Sequence, residues 1–354
     1  MRRARWLADW KDSTEKPAIY HCISRVVDRR FVFGDEEREK FRVFMRMQEN
    51  FSGCRVLSYC VMSNHFHLLL EVPPMPEEGV ADDVLLQRVA STSTEVAVAS
   101  VAQELADART SGNDARVAEI HARYSYRMHN LSEFMKALLI RFTRWFNRIH
   151  HRKGTLWEER FKSVIVESGA AARTMAAYID LNPVRAGMVS APALYRWSSY
   201  GEAVGGGTKG NGKKAREGLV RACMSHRGAG FDAGNWKDVS RIYRRAMGLA
   251  LGRRSGKAAT PKRVAVTKNT EEMLASKDNE TVLPDLGMAT MLRCRVRYFS
   301  DGSVIGSKAF VNEAFAASRE RFSAKRQDGA RKLRGSGTPA AGVLWSIRDL
   351  RVGV

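Results

Sequence analysis

Long apolar runs are missing from this chain. No stretch approaches the roughly eighteen consecutive apolar residues that a membrane-spanning helix needs, so no transmembrane helix is expected. The opening residues, MRRARWLADWKDSTEKP, are basic but lack the apolar core of a secretory signal. Cysteine is sparse: the five are Cys22, Cys54, Cys60, Cys223 and Cys294, odd in number, scattered and without a CxxC pair. They fit free thiols in a reducing cytosol rather than a disulfide framework. The expected location is therefore cytoplasmic, with nucleoid association following from the charge. Acidic residues are in deficit, 38 Asp and Glu against 59 Lys and Arg in 354 residues, a net charge of +21. Such a field favours a polyanionic partner, and nucleic acid is the commonest one. The imbalance is uneven. Residues 1–200 carry 29 basic and 24 acidic side chains, whereas residues 201–354 carry 30 and 14.

Periodicity gives the organisation. PAIYHCISRVV alternates and is β-branched, which predicts a strand near 17–27. Asp35 caps a helix whose apolar side carries Phe41, Phe44, Met45 and Met47. CRVLSYCVM and HFHLLLEV around Ser63-Asn64 predict a hairpin at 54–62 and 65–72. Residues 76–125 read as a helical insertion of one or two helices. LSEFMKALLIRFTRWFNRIHH (131–151) is an amphipathic helix. Residues 160–167 are a fourth strand, and 169–181 a helix stopped by Asn182-Pro183. The order predicts an α+β fold with a ferredoxin-like antiparallel sheet and helices on one face. This first domain is placed at 1–204, followed by a Gly/Lys-rich linker at 205–214. A basic, mainly helical and partly disordered C-terminal region, 215–354, is expected to have an accessory DNA-binding role. Within it lie a basic helix from Trp236, a basic segment at 251–268, a small unit at 280–325 and a basic tail.

Three motifs carry chemistry. In Asn64-His65-Phe66-His67 the two histidines lie two apart on a strand and share a face, with Phe66 toward the core. Neutral imidazoles so placed suit a divalent metal, although two packed or surface histidines give the same pattern. In Tyr178-Ile179-Asp180-Leu181-Asn182-Pro183-Val184-Arg185, Tyr178 and Asn182 are one helical turn apart and share a face. A phenolate can attack a phosphodiester that a metal has polarised. A buried tyrosine before a helix-ending Asn-Pro reads the same way. Residues 121–165 hold 10 basic and 3 acidic side chains interleaved with aromatics, as single-stranded nucleic acid binding requires.

Taken together, YHCISRVVDRRFVF, YCVMSNHFHLLLEV, RFTRWFNRIHHRKGTLWEERFKS, YIDLNPVRAG and WSSY, in that order, resemble the REP-associated tyrosine transposases of the single-tyrosine HUH superfamily. The resemblance spans about residues 17–205. It implies a ferredoxin-like catalytic fold, His65 and His67 as metal ligands, Tyr178 as nucleophile and Asn182 as a third ligand where related enzymes use Gln. It also implies Mg or Mn as cofactor, and single-stranded or hairpin DNA, cut and rejoined through a 5′-phosphotyrosine, as substrate. Arg141, Arg144, Arg148, Arg160, Lys162 and Arg185 are the expected backbone contacts, and a monomer or homodimer the expected state. The rival readings are a catalytically idle DNA-binding or regulatory protein of the same fold, an RNA-binding module and a metal-dependent hydrolase. The second would need a stacking aromatic strand signature, which is missing. The third leaves Tyr178 without a purpose.

Overall fold

The computed structural model describes residues 5–207, 209–223, 236–251, 292, 298–333 and 344–347. Four strands form the heart of the sheet: β1 (Ala18–Arg25), β2 (Arg55–Val61), β3 (His65–Val72) and β4 (Lys162–Val166). They lie in the order β2-β3-β1-β4, each pair antiparallel. Helices α1 (Asp35–Ser52) and α5 (Leu131–Ile149) connect them and give the expected β-α-β-β-α-β plan. Glu37 reaches back to the amide of Gly34 at the start of α1, and Asn130 caps α5 by accepting from the Glu133 amide.

One face of this sheet carries the aromatic core. Phe66 meets Phe41 of α1 at 4.5 Å and Trp157 at 5.6 Å, and Phe41 meets Phe142 of α5 at 5.2 Å. Non-polar burial of this kind is the main stabilising force of such a layer. The inserted segment folds as three helices, α2 (Asp82–Ala90), α3 (Glu95–Thr110) and α4 (Asp114–Ser125). They bury their own cluster, including Leu85, Val101, Leu105 and Ile120, which meets the rest through Phe51.

The expectation of helices on one face holds for α1 and α5. The opposite face is also covered, by α6 (Ala170–Asp180) and by α9 (Gly210–Cys223). Residues 205–214 therefore do not form a continuous linker. They hold the end of α8 (Ser199–Gly205) and the start of α9, with α7 (Asn182–Arg185) earlier in the chain. The glycines here serve close approach. A Cβ on Gly218 would lie 2.4 Å from the Val56 carbonyl oxygen, and one on Gly212 2.3 Å from that of Gly206. Glycine is what lets α9 lie against the backbone of β2.

The sheet also runs past the boundary expected at 204. A segment of the C-terminal region, β5 (Val304–Gly306), pairs parallel with β4, and β6 (Arg331–Lys332) and β7 (Trp345–Ile347) complete seven strands in the order β2-β3-β1-β4-β5-β7-β6. The basic helix from Trp236 is α10 (Trp236–Leu251), and α11 (Tyr298–Asp301) and α12 (Lys308–Ala317) flank β5. The basic segment expected at 251–268, apart from its first residue, most of 280–297 and part of the tail lie outside the described residues. No helix among the described residues is long and apolar enough to cross a membrane.

A buried ion-pair network ties α8 to α1. Glu202, with its side chain 1% exposed, accepts from Arg42 at 2.8 Å and from Arg46 at 2.7 Å, and Arg46 also reaches Glu49. Removing Glu202 would leave the buried Arg46 with Glu49 as its remaining carboxylate partner and take one of two carboxylates from Arg42. Glu202→Ala is expected to cost about 3–5 kcal/mol of unfolding free energy in urea titration. A loss below about 1 kcal/mol, as for a surface pair, would contradict this reading of the network.

Candidate functional site

The antiparallel register of β1 with β3 decides which side chains meet. His65 stands opposite Arg25, His67 opposite Ile23, and His21 opposite Leu69. Opposed residues share a face, so His21, Arg25, His65 and His67 all lie on the face away from the aromatic core. His21 and His67 are diagonal neighbours with rings 5.2 Å apart and nearly parallel, and the His65 ring is 5.1 Å from that of His67. Phe66 points to the other side and is fully buried, as expected.

Each candidate ligand has one ring nitrogen engaged. His65 Nδ1 is 2.7 Å from Asn64 Oδ1, and Asn64 is held in turn by donating from Nδ2 to the Arg29 carbonyl at 2.7 Å. An amide oxygen only accepts, so His65 Nδ1 carries the proton and Nε2 the lone pair. His67 Nδ1 is 3.0 Å from His21 Nε2, and His21 Nδ1 is 2.7 Å from the Phe299 carbonyl oxygen. Burial keeps all three rings neutral. It pushes His21 down to about 4, and it does the same to His65 with help from the nearby Arg25 guanidinium. His67 is held well below the ordinary imidazole range by burial, with His65, His21 and Arg25 adding to the effect.

α6 brings the phenol to this face. The half-buried Tyr178 ring lies 5.9 Å from His67 and 6.2 Å from His21, near perpendicular to both. Phe299 stacks on it at 4.7 Å, and the Arg185 guanidinium lies over the ring at 5.4 Å while also bonding the Leu292 carbonyl. α6 ends at Asp180, as Asn182-Pro183 led one to expect, and the short α7 starts at Asn182 directly after the Leu181 cap. Pro183 lacks the N–H that would serve the Ile179 carbonyl. The Asn182 amide nitrogen fills in, donating to Ile179 O at 3.3 Å and to Tyr178 O at 3.0 Å. That leaves the amide oxygen as the one atom of Asn182 with ligand chemistry.

These donors fit a divalent cation. Two neutral imidazoles offer themselves from one strand face, and Asn182, which bears an amide oxygen, opens α7 just after the helix that carries Tyr178. Among the described residues no three His, Cys, Asp or Glu side chains converge as a ligand set. Coordination would therefore be completed by oxygen atoms of Asn182, substrate or water.

The expected cationic contacts separate into two groups. Lys162 stands opposite Ile23 in the β1–β4 register, in the same cross-strand row as His67, and so lies on the histidine face. Arg185 is at the phenol, and Arg160 is exposed just before β4. Arg141, Arg144 and Arg148 are elsewhere. With Lys40, Phe44 and Trp145 they line a shallow cavity of about 460 Å³ on α1 and α5, across the sheet from Tyr178. Sequence reasoning missed His21, Arg25 and Phe299. The alternation of β1 put His21 and Arg25 on one face, but only the pairing with β3 shows whose face it is.

Residues 15–80, which include His21, His65 and His67 but not Tyr178, match the family described as Transposase IS200 like. A solved structure of a REP-associated tyrosine transposase bound to a REP hairpin is similar at 13% identity, over 60% of this chain and 90% of that one, with a TM-score of 0.37. No curated protein matches.

The buried histidines make stability depend on pH. Between the ordinary value of 6.5 and the folded value of about 4, the unfolded chain binds a proton at residue 21 that the folded chain does not. That contribution is therefore complete above pH 6.5 and is lost as pH falls toward 4. Relative to His21→Gln, which cannot titrate, the wild type is expected to lose up to about 3 kcal/mol of urea-unfolding free energy between pH 7 and pH 4. Parallel pH profiles for the two proteins would contradict the buried neutral state.

Proposed function

We propose that this chain is a transposase that cleaves and rejoins single-stranded DNA at hairpin-bearing sites, with Tyr178 as nucleophile. The observation that carries the reading is the convergence of His65, His67 and Tyr178 on one sheet face, from segments more than a hundred residues apart in sequence. The IS200-type sequence pattern over residues 15–80 supports it from a separate direction.

In this reading His65 and His67, with Asn182, hold Mg or Mn. A cation bound there would offset the negative charge that builds on the scissile phosphate. The Tyr178 oxygen attacks phosphorus in line with the departing 3′-oxygen. The P–O bond to the 3′-oxygen breaks as the phenolic P–O bond forms. The 3′-oxygen leaves with a proton, the phenol having given one up, and the 5′-phosphate stays on Tyr178. The diester count is unchanged, so a second 3′-hydroxyl can reverse the step and join strands without a nucleotide cofactor. Arg185, over the phenol ring, places a positive charge beside the reacting group and would pair with the phosphate. Lys162 and Arg25 extend positive charge along the same face. Phe299 stacks on the Tyr178 ring and covers one face of the phenol. The separate groove of Arg141, Arg144 and Arg148 suits the backbone of a hairpin stem held on the opposite side.

Two outcomes are expected. Wild-type protein mixed with Mn and single-stranded hairpin oligonucleotides gives a covalent adduct on a denaturing gel, and Tyr178→Phe gives none while still shifting the hairpin in a native gel. Adduct formation by the Phe variant would end the nucleophile assignment, and hairpin binding without adduct in either protein would favour an idle DNA-binding relative. Arg144→Ala with Arg148→Ala is expected to weaken hairpin binding and to lower the slope of log affinity against log salt by about 2. An unchanged slope would remove the groove from the interface.

A further inference from the structure

Two hydrogen bonds run in series from the C-terminal region to the ligand pair. The Phe299 carbonyl can only accept, so His21 Nδ1 donates to it across 2.7 Å. A neutral imidazole protonated on Nδ1 carries its lone pair on Nε2. His21 Nε2 therefore accepts, and the donor 3.0 Å away is His67 Nδ1. His67 is then left with an unprotonated Nε2. His65 reaches the same tautomer through a different partner, Asn64. Both imidazoles thus present the same nitrogen, although one is fixed by a neighbouring side chain and the other by a residue 46 positions earlier, itself fixed by one 278 positions later.

His21 is 0% exposed and sits on β1, between β3 and β4, held through both ring nitrogens. Its other neighbour is the Tyr178 ring, and Phe299 meets that same ring by stacking. A histidine spent inside a sheet, bonded through both nitrogens, costs desolvation that an aliphatic residue would avoid. Orienting a ligand is a function that an aliphatic residue could not perform.

From this geometry we infer that His21 is a positioning residue which, anchored on the Phe299 carbonyl, locks His67 with its Nε2 lone pair toward a divalent cation. The segment around Phe299 thereby becomes part of the ligand site. The inference rests on the metal role given to His67 above. Partners of this kind fix ring orientation and raise ligand basicity, and their loss typically weakens metal binding by about 10- to 100-fold.

The test uses full-length, metal-free protein labelled with [15N]histidine. Long-range nitrogen–proton spectra, with His67 assigned by its loss in His67→Gln, are expected to show His67 protonated on Nδ1; protonation on Nε2 overturns the relay. This arm needs no variant of His21 to fold. The second arm measures Mn affinity by electron paramagnetic resonance. His21→Leu is expected to weaken binding by about 10- to 100-fold. His21→Gln should restore it to within a few-fold, because its amide can donate to Phe299 and accept from His67. A folded Leu variant that binds Mn as tightly as wild type overturns the relay and leaves the transposase reading standing. A wild type with the Nδ1 tautomer but no affinity for Mn supports the relay's tautomer lock and instead overturns the metal reading.

Discussion

The register between β1 and β3 is the constraint on which the rest depends. Side chains alternate along a strand, so a slip of one residue would turn every histidine to the aromatic side and every core residue out. Phe66 and Leu68, locked against α1 and α5, forbid that slip. The core on one face thus fixes the chemistry on the other. Once the register is set, His21, Arg25, His65 and His67 have a single place to be, and α6 has only to lie across that face for Tyr178 to join them.

The electrostatics follow from the same burial. Three imidazoles packed together cannot all be charged, and among the described residues their hydrogen-bond partners are the Phe299 carbonyl, Asn64 and one another, none of them acidic. They stay neutral, with pKa values pushed far below the ordinary range. Neutral rings with one nitrogen tied up are the form in which histidine binds metals. Arg25, Lys162 and Arg185 put positive charge on the same side, and in the proposed function this charge would face the phosphate. A second cationic area on α1 and α5 is separated from this one by the thickness of the sheet.

Much of the core was legible in the sequence because its elements are long and regular. β1, β3, α1 and α5 show clean periods, and His65 and His67 could be assigned to one face by alternation alone. Asn182-Pro183 reads as a stop, and α6 does end at Asp180; what the sequence did not show is that a short α7 starts at Asn182, whose side-chain amide donates back to the Tyr178 and Ile179 carbonyls. What was not legible has a common physical cause, pairing between distant segments. β5 and β7 have three residues each and β6 two, too few to show a period. His21 looked like one polar residue in a strand until β3 came beside it. The glycines of 205–214 suggest flexibility in sequence, whereas Gly212 serves helix packing through close backbone contact. The arginines of α5 were expected as backbone contacts alongside Lys162 and Arg185, and the sheet puts them on the far side from those two.

In the proposed function, one sheet face joins the histidine pair to a nucleophilic tyrosine. Mass spectrometry of the trypsin-digested protein–DNA adduct tests it most directly. The account predicts a nucleotide carried on the peptide of residues 174–185, with fragmentation placing the phosphate on Tyr178. A phosphate on any other residue of the wild-type adduct would contradict it.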